Sequence, residues 1–153
     1  MSSGIGNAPA SGWAKFVAEL HVGDIDASLS FWRDVLAFSV AYQRPTERFV
    51  YLERPDGSQI MLCEQNGRFE TGAMDRPLGR GVMFQLYVDD LDAVLERLAA
   101  RALTIYLGPR EIWRAVGALE FGQREIFVQD PDGYLVMVAQ NIGTRAPAES
   151  TIL

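Results

Sequence analysis

The chain has 153 residues, of which 48% are hydrophobic, and a formal net charge of −6. A chain of this length buries roughly two-thirds of its unfolded surface and needs neither disulfide nor metal to fold, and its one cysteine, Cys63, excludes an intrachain disulfide. The acidic balance argues against a nucleic-acid partner, and no apolar run approaches the roughly 20 residues that span a bilayer. No charged-then-apolar leader precedes Trp13. The expectation is a cytoplasmic protein with no membrane partner, whose acidity is compatible with a cationic ligand.

Residues 1–13 are small, polar and broken by glycine and proline, and read as a flexible tail. The stretch 16–22 alternates as a strand, with Phe16, Ala18, Leu20 and Val22 on one face and Val17, Glu19 and His21 on the other. Gly23-Asp24 ends it, and Asp24 is placed to cap a helix whose apolar stripe is Ile25, Leu29, Trp32 and Leu36. Strands follow over 38–43, 48–53 and 58–64, the last two joined by a Pro55-Asp56-Gly57 turn. Residues 65–80 hold several glycines and prolines and no period, and read as a linker. The order then restarts. Val82, Phe84, Leu86 and Val88 form one face of a strand, with Met83, Gln85 and Tyr87 opposite. Val88-Asp89-Asp90-Leu91-Asp92-Ala93 echoes Val22-Gly23-Asp24-Ile25-Asp26-Ala27 and opens a helix striped with Leu91, Val94 or Leu95, and Leu98. A strand is predicted over 103–107, and 108–120 reads as an insertion. A hairpin over 121–140, turning at Asp130-Pro131-Asp132-Gly133, closes the second half. Residues 142–153 read as a second flexible tail.

The chain is therefore a duplication, with modules at 14–64 and 81–141 joined by the 65–80 linker. Each half reads strand, helix, strand, strand, strand. A four-stranded antiparallel sheet covered by one helix buries one face and leaves the other as half of a trough. Period-two parity puts Glu19, His21, Phe49, Tyr51, Met61 and Cys63 on the trough face of the first module. On the second it puts Met83, Gln85, Tyr87, Glu125, Phe127 and Met137 there.

This pattern resembles the vicinal oxygen chelate superfamily, which includes glyoxalase I, extradiol dioxygenases, fosfomycin-resistance enzymes and bleomycin-resistance proteins. The resemblance rests on the paired helix starts at Val22 and Val88, on Phe31-Trp32 with Leu36 and Phe38, and on the run from Phe121 to Tyr134 (F-G-x-R-E-x(4)-D-P-D-G-Y). It covers about residues 14–141. It implies an α+β fold in which two duplicated βαβββ modules form a curved mixed sheet around a trough. Metalloenzymes of the superfamily carry metal ligands on the first and last strand of each module, and the matching positions here are Val17, Met61, Met83 and Met137. Valine and thioethers do not suit a hard or borderline divalent ion, so neither a metal, another cofactor nor a catalytic residue is expected.

His21 is the only histidine, and with Glu19 it forms a Glu-x-His pair that reads as solvated or hydrogen-bonded polar groups. Because glyoxalase I holds its substrate from the equivalent position, the resemblance makes His21 a ligand contact. Cys63 reads as a buried, inert thiol, because nothing nearby in sequence lowers its pKa. The aromatics outside the helices carry the binding expectation: Phe49, Tyr51, Tyr87 and Phe127 on the trough face, with Trp113 and Phe121 at its edge. Bleomycin-resistance proteins are similar, clamping a flat cationic drug between rings. The expected ligand-binding set is His21, Phe49, Tyr51, Met61, Met83, Gln85, Tyr87, Trp113, Phe121 and Glu125. The expected function is antibiotic sequestration by a homodimer with clefts shared between subunits. The alternative is a metal-dependent lyase, isomerase or dioxygenase using displaced ligands such as Glu19, His21 and Gln85.

Overall fold

A computed structural model of the chain describes residues 4–148. These divide into two compact units. The first runs to Leu78 and takes in Asp130–Gly133, and the second comprises Gly79–Gln129 and the chain from Tyr134 onward.

The first unit is a five-stranded sheet. Its strands are β1 (Ile5–Gly6), β2 (Glu19–Val22), β3 (Ser39–Arg44), β4 (Phe49–Glu53) and β5 (Gln59–Glu64), in the order β1-β3-β4-β5-β2. The helix between β2 and β3 starts as α1 (Ile25–Leu29), where the Asp24 carboxylate accepts from the Asp26 and Ala27 backbone N–H groups. It continues as a wider π-type turn, Ser30–Val35, in which the Leu36 N–H reaches the Phe31 carbonyl. That extra residue per turn rotates the expected stripe. Phe31 and Val35 join Ile25, Trp32 and Leu36 in the core, and Leu29 is only partly covered.

The second unit is a four-stranded sheet in the order β6-β9-β8-β7. Its elements are β6 (Met83–Tyr87), α2 (Leu91–Ala100), β7 (Leu107–Val116), β8 (Leu119–Gln129) and β9 (Leu135–Arg145). The Asp90 carboxylate caps α2 by accepting from the Ala93 N–H, and Leu91, Val94 and Leu98 are its buried stripe.

Both sheets are mixed, which corrects the antiparallel reading of each half. β2 runs parallel to β5, with Glu19 beside Met61 and His21 beside Cys63. β6 runs parallel to β9, with Gln85 beside Met137. Only a first strand docked parallel to the last lets the intervening helix cross back over one face.

Four further expectations shift. Pairing of the first long strand begins at Ala18, whose carbonyl accepts from the Met61 N–H; Phe16 precedes it and is 95% exposed rather than core. Residues 5–6 of the first tail pair with β3, and β9 extends to Arg145 within the second tail; residues 1–3 and 149–153 lie outside the described residues. The strand expected over 103–107 begins instead at Leu107. The 108–120 insertion is not a loop but the outer part of the β7–β8 hairpin, closed by the positive-φ Gly117 between Val116 and Leu119.

Candidate functional site

On the first sheet the registers put Glu19 and His21, Met61 and Cys63, Phe49 and Tyr51, and Tyr42 and Arg44 on one face. This face is packed rather than open. Phe49, Tyr51 and Cys63 form a buried cluster flanked by Val17, Tyr42 and Met61. The Arg44 guanidinium lies 3.9 Å from the Phe49 ring centroid, and the Tyr42 and Tyr51 rings stack at 5.2 Å. Trp13, from the stretch expected to be a tail, sets its ring edge-on against both tyrosines, 5.7 and 5.2 Å away. Gln59 ties that stretch down. Its amide N–H donates to the Gly12 carbonyl at 2.6 Å, and its side-chain oxygen accepts from the Ala14 N–H at 2.9 Å and from the Tyr51 hydroxyl.

His21 is buried and joined to Glu19 at 2.9 Å between Nε2 and Oε2. The exposed Phe69 ring meets its imidazole edge-on at 5.6 Å. Of the expected contacts, His21, Phe49, Tyr51 and Met61 are therefore brought together, but beneath Trp13, Arg44 and Phe69 rather than at a free surface. Burial, and next the Glu19 charge, push the Cys63 thiol up, with Arg68 opposing them. An unactivated thiol follows. Sequence reasoning missed Trp13 and Phe69. The available signal was a large aromatic inside each breaker-rich stretch, which such stretches rarely carry without something to pack against.

On the second sheet the exposed face is built differently. Register puts Arg110 opposite Glu125, Ile112 opposite Gln123 and Arg114 opposite Phe121, so these share a face. Phe127 lies opposite Met137 on that face, and Met137 lies beside Gln85. Met83, Gln85, Tyr87 and Phe121 are open to solvent, Tyr87 by 51%. Beneath them runs one polar chain. The Tyr87 hydroxyl donates to Gln123 Oε1 at 2.8 Å, and Gln123 Nε2 donates to Glu125 Oε2 at 2.8 Å. Arg110 Nε donates to Glu125 Oε1 at 3.1 Å, and Arg114 Nη2 stands 3.6 Å from the same oxygen. Glu125 is wholly buried, and Met137 lies under Gln123, whose Nε2 is 3.7 Å from its sulfur.

Met83, Gln85, Tyr87, Phe121 and Glu125 are thus gathered on one surface. Trp113 is not among them. It pairs with Gly122 on the opposite face, where the Arg145 guanidinium lies 4.1 Å from its ring centroid and Glu111 accepts its indole N–H at 2.7 Å. The bulge-free β7–β8 register from Arg110 onward decides this, because Trp113 is an odd number of residues from Arg110 and Arg114. Arg110 and Arg114 were not expected in the site although Trp113 between them was, because the sequence alone assigns no strand register to this stretch. The missed signal was its alternation, Arg110-x-Ile112-x-Arg114 against Glu111-x-Trp113-x-Ala115.

The Glyoxalase/Bleomycin resistance protein/Dioxygenase superfamily model matches residues 15–138. The chain belongs to that superfamily. A probable lactoylglutathione lyase of Vibrio cholerae is 28% identical over 136 residues, covering 85% of this chain and 92% of the relative. The crystal structure of virulence protein STM3117 from Salmonella typhimurium superposes with a TM-score of 0.61 at 25% identity, covering 82% of this chain and 94% of that one. TnmS3, an antibiotic binding protein from Streptomyces sp. CB03234, shares the fold with a TM-score of 0.55 at 20% identity, over 82% of this chain and 93% of its own.

The positions that the resemblance matches to the metal ligands of superfamily enzymes are Val17, Met61, Met83 and Met137, and a metal there needs oxygen or nitrogen donors. None of these four side chains is itself an oxygen or nitrogen donor. Val17 and Met61 pack on the Phe49–Tyr51–Cys63 cluster, and Met137 is buried below Gln123. Among the described residues no three His, Cys, Asp or Glu side chains converge as a metal-sized group. The residues present do not fit the metal of the superfamily's enzymes. No helix among the described residues is long and apolar enough to cross a membrane.

Proposed function

We propose that this superfamily member is a non-catalytic binding protein that sequesters a flat small molecule of antibiotic type on the open face of its second sheet. One observation carries the reading. The positions that the resemblance matches to metal ligands hold only valine and methionine, and one of them, Met83, is open to solvent on the second sheet together with Tyr87 and Phe121. Flat ring systems gain roughly 0.5–1.5 kcal/mol per well-placed aromatic partner beyond burial, and methionine adapts its shape to them. Sequestration lowers free ligand by mass action, so no bond need be made or broken. That TnmS3 is described as antibiotic-binding supports the fold's suitability for this role.

The homodimer belongs to the same reading, since a second copy is one way to cover exposed apolar surface. Light scattering tests it, with a monomer at micromolar concentration as the contrary result.

The test of function is native mass spectrometry of the freshly purified protein, together with elemental analysis. The expected result is a co-purified or titratable organic ligand, released unchanged, at stoichiometry per chain. Stoichiometric metal with chelator-sensitive turnover of a thiol hemiacetal substrate would instead establish the metal-dependent lyase reading.

A further inference from the structure

The acidic chain as a whole invites a cationic ligand, but the charge on the open face of the second sheet has the opposite sign. Its floor carries one buried carboxylate, Glu125, and two guanidinium groups, Arg110 and Arg114, that are 40% and 53% exposed. One carboxylate neutralises one arginine. The second leaves a local excess of positive charge above a buried floor, where screening is weaker than in bulk water.

The donors are oriented as well as counted. Glu125 takes Arg110 through Nε, which leaves both Nη groups of that fork without a hydrogen bond among the described residues. Arg114 approaches the same oxygen at 3.6 Å, too far for a hydrogen bond, so its donors are likewise uncommitted. Gln123 holds the other Glu125 oxygen at 2.8 Å, and Tyr87 in turn holds Gln123. The carboxylate is thereby fixed as an anchor and cannot swing out to meet a cation. The Arg110 guanidinium is also held 5.4 Å from the Phe127 ring centroid, and Arg114 stands directly across the strand pair from the open Phe121 ring.

We infer that Arg110 and Arg114 form an oxyanion-receiving pair, and that the ligand of this face is a flat aromatic acid whose carboxylate, sulfonate or phosphate meets the two guanidinium forks while its ring lies against Phe121 and Tyr87. This inference rests on the sequestration reading for the site and specifies the ligand's charge. A planar guanidinium donates two parallel N–H bonds to two oxygens of such a group at once, which an ammonium does not. The buried Glu125 fixes Arg110 before ligand arrives, reducing the ordering cost of binding.

The test uses three probes of one shape: naphthalene-2-carboxylate, naphthalene-2-carboxamide and 2-naphthylmethylammonium. Each is titrated into the full chain and into Arg114→Gln by calorimetry and by ligand-observed NMR. The carboxylate is expected to bind about tenfold more tightly than the amide, with the cation weakest and the carboxylate's advantage falling as salt rises. Arg114→Gln, exposed and not the primary partner of Glu125, is expected to fold normally and bring carboxylate and amide to parity. Arg110→Lys, which keeps a charge beside Glu125 but loses the fork, is expected to weaken the carboxylate alone. Equal binding of carboxylate and amide, or preference for the cation, overturns the oxyanion pair and leaves the sequestration reading intact. Failure of all three to bind overturns the oxyanion pair on this face, while the sequestration reading is decided by the native mass spectrum.

Discussion

Trp32 donates its indole N–H to Asp130 Oδ2 at 3.2 Å, across 98 residues of sequence. The bond fixes the turn of the last hairpin onto the helix of the first half, and both residues are buried. The neighbouring Asp132 extends the attachment, taking the Gly23 N–H at 3.1 Å and Arg76 Nη2 at 2.8 Å. The repeat of the Pro-Asp-Gly turn is thus not only a local reversal, since the second copy also serves as a polar plug in the first unit.

Trp32→Phe removes the donor while keeping an apolar ring. A hydrogen bond to a charged acceptor is worth roughly 1.5–3 kcal/mol, so a loss of about 2 kcal/mol or more in urea unfolding is expected. Because the Asp132 N–H still serves Asp130 at 2.9 Å, Trp32→Phe combined with Asp130→Ala is expected to cost less than the two single changes added together. Strict additivity would show that the two side chains are not coupled.

Gly122 is needed for a reason unrelated to its backbone angles. A Cβ there would lie 2.7 Å from two atoms of the Trp113 ring, which rests on the bare backbone of β8. Gly122→Ala is expected to push the ring off the strand and cost about 1–3 kcal/mol. Red-shifted tryptophan emission in the folded variant would report the displacement, and an unchanged spectrum and midpoint would refute the packing.

Glu64 links helix and sheet electrostatically. The Ile25 backbone N–H, and then the Arg48 guanidinium, hold its carboxyl below the usual carboxylate range. A lowered folded-state pKa contributes stability that is complete above the unfolded value, about 4.3, and is lost as pH falls through the lower folded value. Glu64→Gln is therefore expected to lower stability at neutral pH and to make the acid limb shallower. Urea midpoints taken from neutral pH downward measure both, and parallel curves would contradict the assignment.

Cys63 is wholly buried, with Asn66 Nδ2 3.7 Å from its sulfur. A thiol both covered and pushed up in pKa reacts only when the sheet opens. Ellman's reagent is expected to label it promptly in urea and far more slowly in the native state. Native labelling at the unfolded rate would mean the face around Phe49 and Tyr51 is open after all.

What the sequence determined by itself is what a few adjacent residues can decide. Gly57 and Gly133 take the positive φ that their turns require, Asp24 and Asp90 cap their helices, and the period-two runs fix which residues share a face. That was enough for the duplicated fold and for Met83, Gln85, Tyr87 and Phe121 as one surface. What only the tertiary structure decided is which of those faces remains open and with what charge. Phe49 and Tyr51 look as available in sequence as Tyr87, yet they are covered, Phe49 by Arg44 from the neighbouring strand and Tyr51 by Trp13 from a segment more than thirty residues away in sequence. Trp113 and Arg114 are neighbours in the chain and lie on opposite faces, because the strand opposite set the register. Net charge counts every ionisable group equally, whereas the field at a site depends on which few are near it and which are already neutralised. An acidic chain can therefore present two arginines where its ligand is expected to bind.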